Sequence, residues 1–174
     1  MAMAILSASG CTEQKPAGKP PKQRISITQI NRYTDLARLR RDSMAVVIAT
    51  AAATGTGSRD GIPVTATQVE ISKVVSGKLG KESVTVQQIG TADVASPDTS
   101  RLMEVGRTYL LYLSRNDGTK NLDRFVITGG DGIYLLHGGR YMYQGGPQKR
   151  SGDRLPASID AEKVEAAVVA EAGS

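Results

Sequence analysis

One run of eight residues, 106–113 (GRTYLLYL), constrains the fold of this chain more than any other. In a strand, successive side chains point to opposite faces, so Tyr109 and Leu111 would face one side of the sheet. Leu110 and Tyr112 would face the other side. A strand that is apolar on both faces must be covered on both faces. We therefore expect this run to be the central strand of a sheet.

Further strand-like segments lie at short spacing on either side of this run. The apolar segment 44–51 predicts a buried first strand, and the glycine-rich segment 55–61 predicts a mobile hairpin loop after it. The longest candidate, 62–75, changes its apolar parity at Ser72, which indicates a bulge that bends the strand. The other expected features are strands at 25–30, 84–89, 123–128, 133–136 and 140–143, a long polar connection over 90–105 and a hairpin turn at Asp131 and Gly132.

Two helices are predicted, one at each end of the strand-rich part. The first spans 34–41, with Thr34 as its N-cap and Leu36 on the face toward the sheet. The second spans 160–172 and is capped by Ser158. We therefore expect a mainly β fold: a small closed antiparallel barrel of five to seven strands, with a short N-terminal helix and a C-terminal helix.

The net charge of +5 belongs to the N-terminal part of the chain. Eight Lys or Arg and three acidic residues lie within 12–42, whereas 43–174 contains 14 basic and 14 acidic residues. A nucleic-acid-binding domain would carry the excess charge on its own surface. A basic arm beside a membrane is attracted to anionic head groups, by about 1 kcal/mol per side chain. A solvated linker is an equally good interpretation of the same arm.

The position of the single cysteine, Cys11, indicates a membrane address. One cysteine excludes an internal disulfide and any multi-cysteine metal site. The preceding residues 6–10 (LSASG) resemble the end of a bacterial lipoprotein signal, where the cysteine is acylated and becomes the first residue after cleavage. The apolar run is short and lacks a basic start, so we expect that the native signal was shortened or replaced. The alternative is a disordered tail with a chance cysteine.

The charge and proline patterns divide the chain into four segments. Residues 12–24 contain three prolines and no apolar periodicity, which is typical of a flexible tether. The predicted segments are a signal remnant (1–11), the basic tether (12–24), a β-barrel domain (25–156) and the C-terminal helix (157–174). Lipid on Cys11, together with the basic tether, would hold the domain at the extracytoplasmic face of the cell membrane.

Four segments carry a resemblance to a known group of proteins. They are 42–50, 63–77, 84–90 and 106–113. Their order and glycine positions are similar to those of uncharacterised secreted proteins and lipoproteins of GC-rich Gram-positive bacteria. The domain of those proteins resembles the netrin-like, tissue-inhibitor-of-metalloproteinase-like version of the oligonucleotide/oligosaccharide-binding (OB) barrel. The resemblance covers roughly 34–136 and implies an OB-like barrel. It does not imply zinc inhibition, because Cys11 lies on a tether without a partner cysteine.

Residue types that carry catalysis are sparse. His137 is the only histidine, and a metal or catalytic role would need further ligands or an orienting partner. The glycine-rich segments 129–132 and 145–147 do not open a helix with Lys-Ser/Thr, so they are predicted as turns and not as phosphate loops. We expect no enzyme activity, no cofactor and no metal. A hydrolase whose carboxylates meet only in the fold stays an alternative.

Aromatic and basic residues supply the candidate binding surfaces. Single-stranded nucleic acid binds to aromatic side chains on central barrel strands, and the predicted strands 62–75 and 84–89 contain none. Nucleic-acid binding is therefore the second hypothesis. The candidate partner surface consists of Arg140, Tyr141 and Tyr143 together with Arg38, Arg40 and Arg41. Core packing for the tyrosines and a solvated helix end for the arginines are the structural alternatives.

These observations favour a membrane-tethered extracytoplasmic lipoprotein with a non-catalytic barrel that binds an envelope or extracellular protein. The signal-like residues before Cys11 and the tether after it support the address. A phage- or prophage-encoded envelope exclusion lipoprotein is a further alternative, for which no residue argues.

Overall fold

The computed structural model describes residues 23–24, 33–95, 100–115, 124–146 and 155–169. The fold of these residues is mainly β, as predicted, and the expected strand 25–30 lies outside them. The elements are β1 (Gln23–Arg24), α1 (Leu36–Arg41), β2 (Ala45–Arg59), β3 (Ile62–Gly77), β4 (Ser83–Ile89), β5 (Val94–Ala95), β6 (Thr108–Arg115), β7 (Arg124–Ile127), β8 (Ile133–His137), β9 (Arg140–Tyr143), β10 (Ser158–Asp160) and α2 (Val164–Val169). Short 3₁₀ turns lie at Thr128–Gly130 and Ala161–Lys163.

One eight-stranded sheet organises the described residues, in the order β10-β9-β8-β6-β2-β3-β4-β7. β6 also pairs with β7, so β6, β2, β3, β4 and β7 form a closed ring of pairings. We had expected an antiparallel ring, and this part of the prediction was wrong, because β4 and β7 run parallel. β1 and β5 form a separate parallel pair, so Gln23 and Arg24 at the end of the predicted tether are paired.

β6 is the central strand, as the run 106–113 predicts. One edge pairs with β2, and the other edge is shared between β8 near Tyr109 and β7 near Leu113. Its side chains alternate between two cores, and all five from 109 to 113 are buried. Tyr109, Leu111 and Leu113 lie in the first core, and Leu110 and Tyr112 lie in the second.

The two cores lie on opposite faces of β6. The first draws on all five strands of the ring and contains mostly aliphatic side chains, with Tyr109 and Phe125. The second is covered by Leu39 of α1 and by Val164 and Val168 of α2. Both short helices are therefore fixed by burial of one apolar face, since a helix of six residues has little stability of its own.

The caps of both predicted helices were wrong. Asp35, and not Thr34, is the N-cap of α1: its Oδ1 accepts a hydrogen bond of 2.7 Å from the Arg38 N–H. This bond lowers the pKa of Asp35. Ser158 caps no helix, because it lies in β10 and pairs with Met142 of β9, and α2 begins only at Val164.

The segment 55–61 is not the loop that its glycines predict. β2 and β3 stay paired up to Arg59 and Ile62, which leaves a two-residue turn at Asp60 and Gly61. Both turn residues have positive φ, 51° and 78°, as tight hairpin turns require. We call the paired segments beyond Ala52 the β2–β3 ribbon.

The predicted bulge at Ser72 is confirmed, whereas the prediction of a hairpin turn at Asp131 and Gly132 was wrong. Ile48 pairs with Lys73 and Ala49 with Ile71, so Ser72 is the extra residue. β7 and β8 do not pair with each other. The 3₁₀ turn between them carries the chain along the edge of β6, and both strands pair with β6.

We expect substitutions on either face of β6 to be costly. Leu111→Ala in the first core and Leu110→Ala in the second should each lower the free energy of unfolding by about 2 to 5 kcal/mol, because each opens a cavity. Urea denaturation measures this, with Met142→Ala on the exposed side of β9 as the control, expected within about 0.5 kcal/mol. A Leu110→Ala variant as stable as the control would show that the second core contributes little.

Candidate functional site

A groove of about 300 Å³ lies on the outer face of β3 and β4, beside the turn of the β2–β3 ribbon. The inner face of these strands is set by Val69 and Val86, which lie in the first core. Alternation then turns Val64 and Ile89 outward. The groove is lined by Arg59, Asp60, Ile62, Val64, Gln87, Gln88, Ile89 and Val126.

The floor of the groove is aliphatic. Ile62, Val64, Ile89 and Val126 supply it, and Ile62 is 37% exposed, which makes it one of the few large apolar side chains at the surface of the described residues. The volume of the groove is at the lower end of the range for ligand-binding pockets. Such a groove can take up an apolar group of a ligand or of another protein.

The charges at the rim of the groove are paired. The Arg59 Nε and Asp60 Oδ2 atoms are 3.9 Å apart, and their side chains are 41% and 90% exposed. A surface ion pair of this kind contributes at most about 1 kcal/mol to stability. Because the two charges compensate each other, the groove does not offer a strong field to a charged ligand.

Gln88 is among the residues that line the groove, and the sequence analysis missed it. Its side chain is buried, and its Nε2 donates to the Arg101 carbonyl (2.7 Å) and to Ser100 Oγ (3.2 Å). Its Oε1 accepts a bond of 2.9 Å from the Met103 N–H. One amide thus holds the chain before β6 against β4. The alternation of side chains along β4 could have predicted the burial of Gln88, because Gln88 continues the inward-facing series of Val84 and Val86.

Both tyrosines of the predicted partner surface pack on the second core, and Arg140 lies outside it. Tyr141 is buried in the second core, and burial raises its pKa. Tyr143 is half-buried and donates a hydrogen bond of 2.7 Å to Asp131. Arg140 is exposed and lies 3.1 Å from the Asp160 carboxylate. These three residues do not form one exposed patch. For Tyr141, the structure supports the alternative of core packing.

The predicted arginine cluster lies on α1, and none of its three arginines lines the groove. Arg40 Nε donates to Ser76 Oγ at 2.9 Å, which ties α1 to β3. Arg38 and Arg41 are exposed, and Arg41 lines a shallow hollow together with Arg115. Cys11, the predicted lipidation site, lies outside the described residues.

Asp131 organises a polar cluster in the second core. Its carboxylate accepts hydrogen bonds from the Tyr33 N–H (3.3 Å) and from the Tyr143 hydroxyl, so it joins the start of α1 to β9. Burial and a hydrogen bond to Asp42 raise the pKa of Tyr33 to about 12, and burial raises the pKa of Tyr134. We interpret the contacts of Asp131 with Tyr33 and Tyr143 as a structural brace, because they join α1 to β9.

Two general features bear on function. Within 33–95, 100–115, 124–146 and 155–169, no three His, Cys, Asp or Glu residues are grouped so that they could hold a metal ion. Of the helices described, none is both long enough and apolar enough to cross a bilayer. No family model matches this chain, and no curated protein shows significant similarity to it.

We expect Gln88 to be essential for stability. Gln88→Met keeps the volume but leaves the buried Met103 N–H without its acceptor, which should lower the free energy of unfolding by about 1 to 3 kcal/mol. Gln68→Met, on the exposed face of β3, is the control and should change stability by less than about 0.5 kcal/mol. Equal denaturation curves for the two variants would contradict the role of Gln88.

Proposed function

We propose that this chain is a membrane-tethered extracytoplasmic lipoprotein whose β domain binds an envelope or extracellular protein and catalyses no reaction. The observation that carries the proposal is the aliphatic groove between Ile62, Ile89 and Val126. Apolar, concave surface of this kind accepts the anchoring side chains that dominate protein–protein contacts. The tether and Cys11 supply the membrane address.

An OB-type barrel is the fold that we propose for the ring. The ring strands in chain order are β2, β3, β4, β6 and β7, which we number 1 to 5. Their pairings are 1–2, 2–3, 3–5, 5–4 and 4–1. The parallel pairing of β4 with β7 fits the same arrangement. OB barrels bind ligands on the face of their second and third strands. These strands correspond to β3 and β4, on whose outer face the groove lies.

A protein partner is favoured over single-stranded nucleic acid by the chemistry of the groove. Stacking of bases requires aromatic side chains, and the groove is lined by none. Its arginine, Arg59, is compensated by Asp60. A salt-sensitive increase in fluorescence anisotropy of a labelled single strand, lost in Ile62→Asp, would instead support the nucleic-acid hypothesis.

We expect contact with the partner at Ile62 and not at Val74. Both side chains lie on β3 and both are 37% exposed, so they form a matched pair. A photo-crosslinking amino acid placed at position 62 in cells that express the chain should yield one discrete adduct, and the same group at position 74 should not. The Ile62→Asp variant should no longer bind the protein identified in the adduct, whereas the Val74→Asp variant should still bind it. Equal adducts at both positions, or none at position 62, would refute the groove as the partner site.

The membrane address makes a separate prediction. When the gene is expressed with its complete native start, the chain should incorporate a clickable fatty acid and fractionate with membranes. Cys11→Ser should lose the label and the membrane association, whereas the neighbouring Thr12→Ser should keep both. A wild-type chain that stays unlabelled in the cytosol would end the lipoprotein hypothesis without affecting the groove.

A further inference from the structure

The β2–β3 ribbon has an open edge. β6 pairs with β2 from Ala45 to Thr50, and Ala51 exchanges its last hydrogen bonds with Gly106 and Arg107. Beyond this point, no strand within the described part of the chain pairs with that edge of β2. The residues from 52 to 58 are all exposed. An open edge of this length is a template for another strand.

The register identifies the backbone groups on this edge. Gly90 N–H donates to the Pro63 carbonyl, so the odd-numbered residues at the start of β3 bond toward β4. Bonding alternates along an antiparallel strand, so the even-numbered residues bond toward β2. Their partners in β2 include Gly55 and Gly57. The N–H and C=O groups of Thr54, Thr56 and Ser58 therefore point away from β3, along the open edge.

The edge lacks the devices that usually prevent strand pairing. β2 contains no charged residue and no proline from Ala45 to Ser58, a run of 14 residues. Natural edge strands are protected by lysine, proline or bulges, and the bulge at Ala52 lies before the open segment. A two-fold contact brings identical residues together at its axis, so a charge there would repel its own copy. This edge carries none.

We propose that this edge pairs with the same edge of a second copy of the chain, antiparallel and about a two-fold axis at Thr56. In this register Thr56 faces Thr56 of the other copy, and Thr54 faces Ser58, so hydroxyl lies opposite hydroxyl. Gly55 faces Gly57, and Arg59 faces Ala53, so no like charges meet. Cross-strand pairs of Thr with Thr or Ser are favourable. About six backbone hydrogen bonds join the two copies.

The self-complementary sequence selects a second copy over an unrelated strand. An isologous contact must match itself about the axis, and the segment 54–58 (TGTGS) does so residue by residue. The contact is small, so we expect a reversible dimer. It does not rest on the proposed function, because its hydrogen-bonded residues Thr54, Thr56 and Ser58 do not line the groove and Cys11 takes no part in it.

A charge exchange at position 56 tests the proposal with the full-length chain. The wild type and Thr56→Ser should form dimers in sedimentation equilibrium at about 0.1 mM, where weak contacts of this size are populated. Thr56→Lys and Thr56→Glu should each be monomeric, because like charges meet at the axis. An equimolar mixture of the two charged variants should regain a dimer. Circular dichroism checks that all four proteins are folded.

Disulfide trapping provides a second readout. Cα atoms of a hydrogen-bonded antiparallel pair lie about 5.5 Å apart, a distance that a disulfide can bridge. In a Cys11→Ser background, Thr56→Cys should therefore form a covalent dimer on mild oxidation, and Lys78→Cys, at an exposed turn, should not. A monomeric wild type at all concentrations, a dimeric Thr56→Lys variant, or a mixture that stays monomeric would each overturn the proposal.

Discussion

Burial of both faces of β6 is the constraint on which the rest of the structure depends. Leu111 requires the ring on one side, and Leu110 and Tyr112 require the two helices on the other. A sheet with only one covered face would leave Leu110 and Tyr112 in water, at a cost of about 1.5 to 3 kcal/mol each. The short helices α1 and α2 therefore exist because β6 provides the surface that they cover.

The edge of β6 also determines where the groove forms. This edge is long enough for two partners, so β7 takes the part near Leu113 and β8 the part near Tyr109. β7 can then reach β4 and close the ring, and this pairing places Val126 beside Gln87. Val126 contributes to the floor of the groove. The groove is thus a consequence of ring closure and not of any local motif.

The sequence predicts what depends on local alternation. β4, β6, β8 and β9 lie close to their predicted bounds because each alternates or is apolar throughout. The failures concern competition between local signals and long-range pairing: Ser158 is a good cap, but Ile159 gains more by burial beside Tyr141. The parallel partner of β4 and the lining of the groove join segments far apart in the chain, so no local pattern contains them.

The glycines of β2 connect the two surfaces that we consider functional. Gly57 lies opposite Val64, and a Cβ placed there would approach the Val64 side chain to 4.0 Å. Because these residues are small, no long side chain projects from the outer face of the ribbon beside the groove. The same residues leave the open edge uncharged. Edge pairing extends the sheet sideways and leaves its outer face accessible. The proposed partner binding and the proposed self-association are therefore compatible, because one uses the face of the sheet and the other its edge.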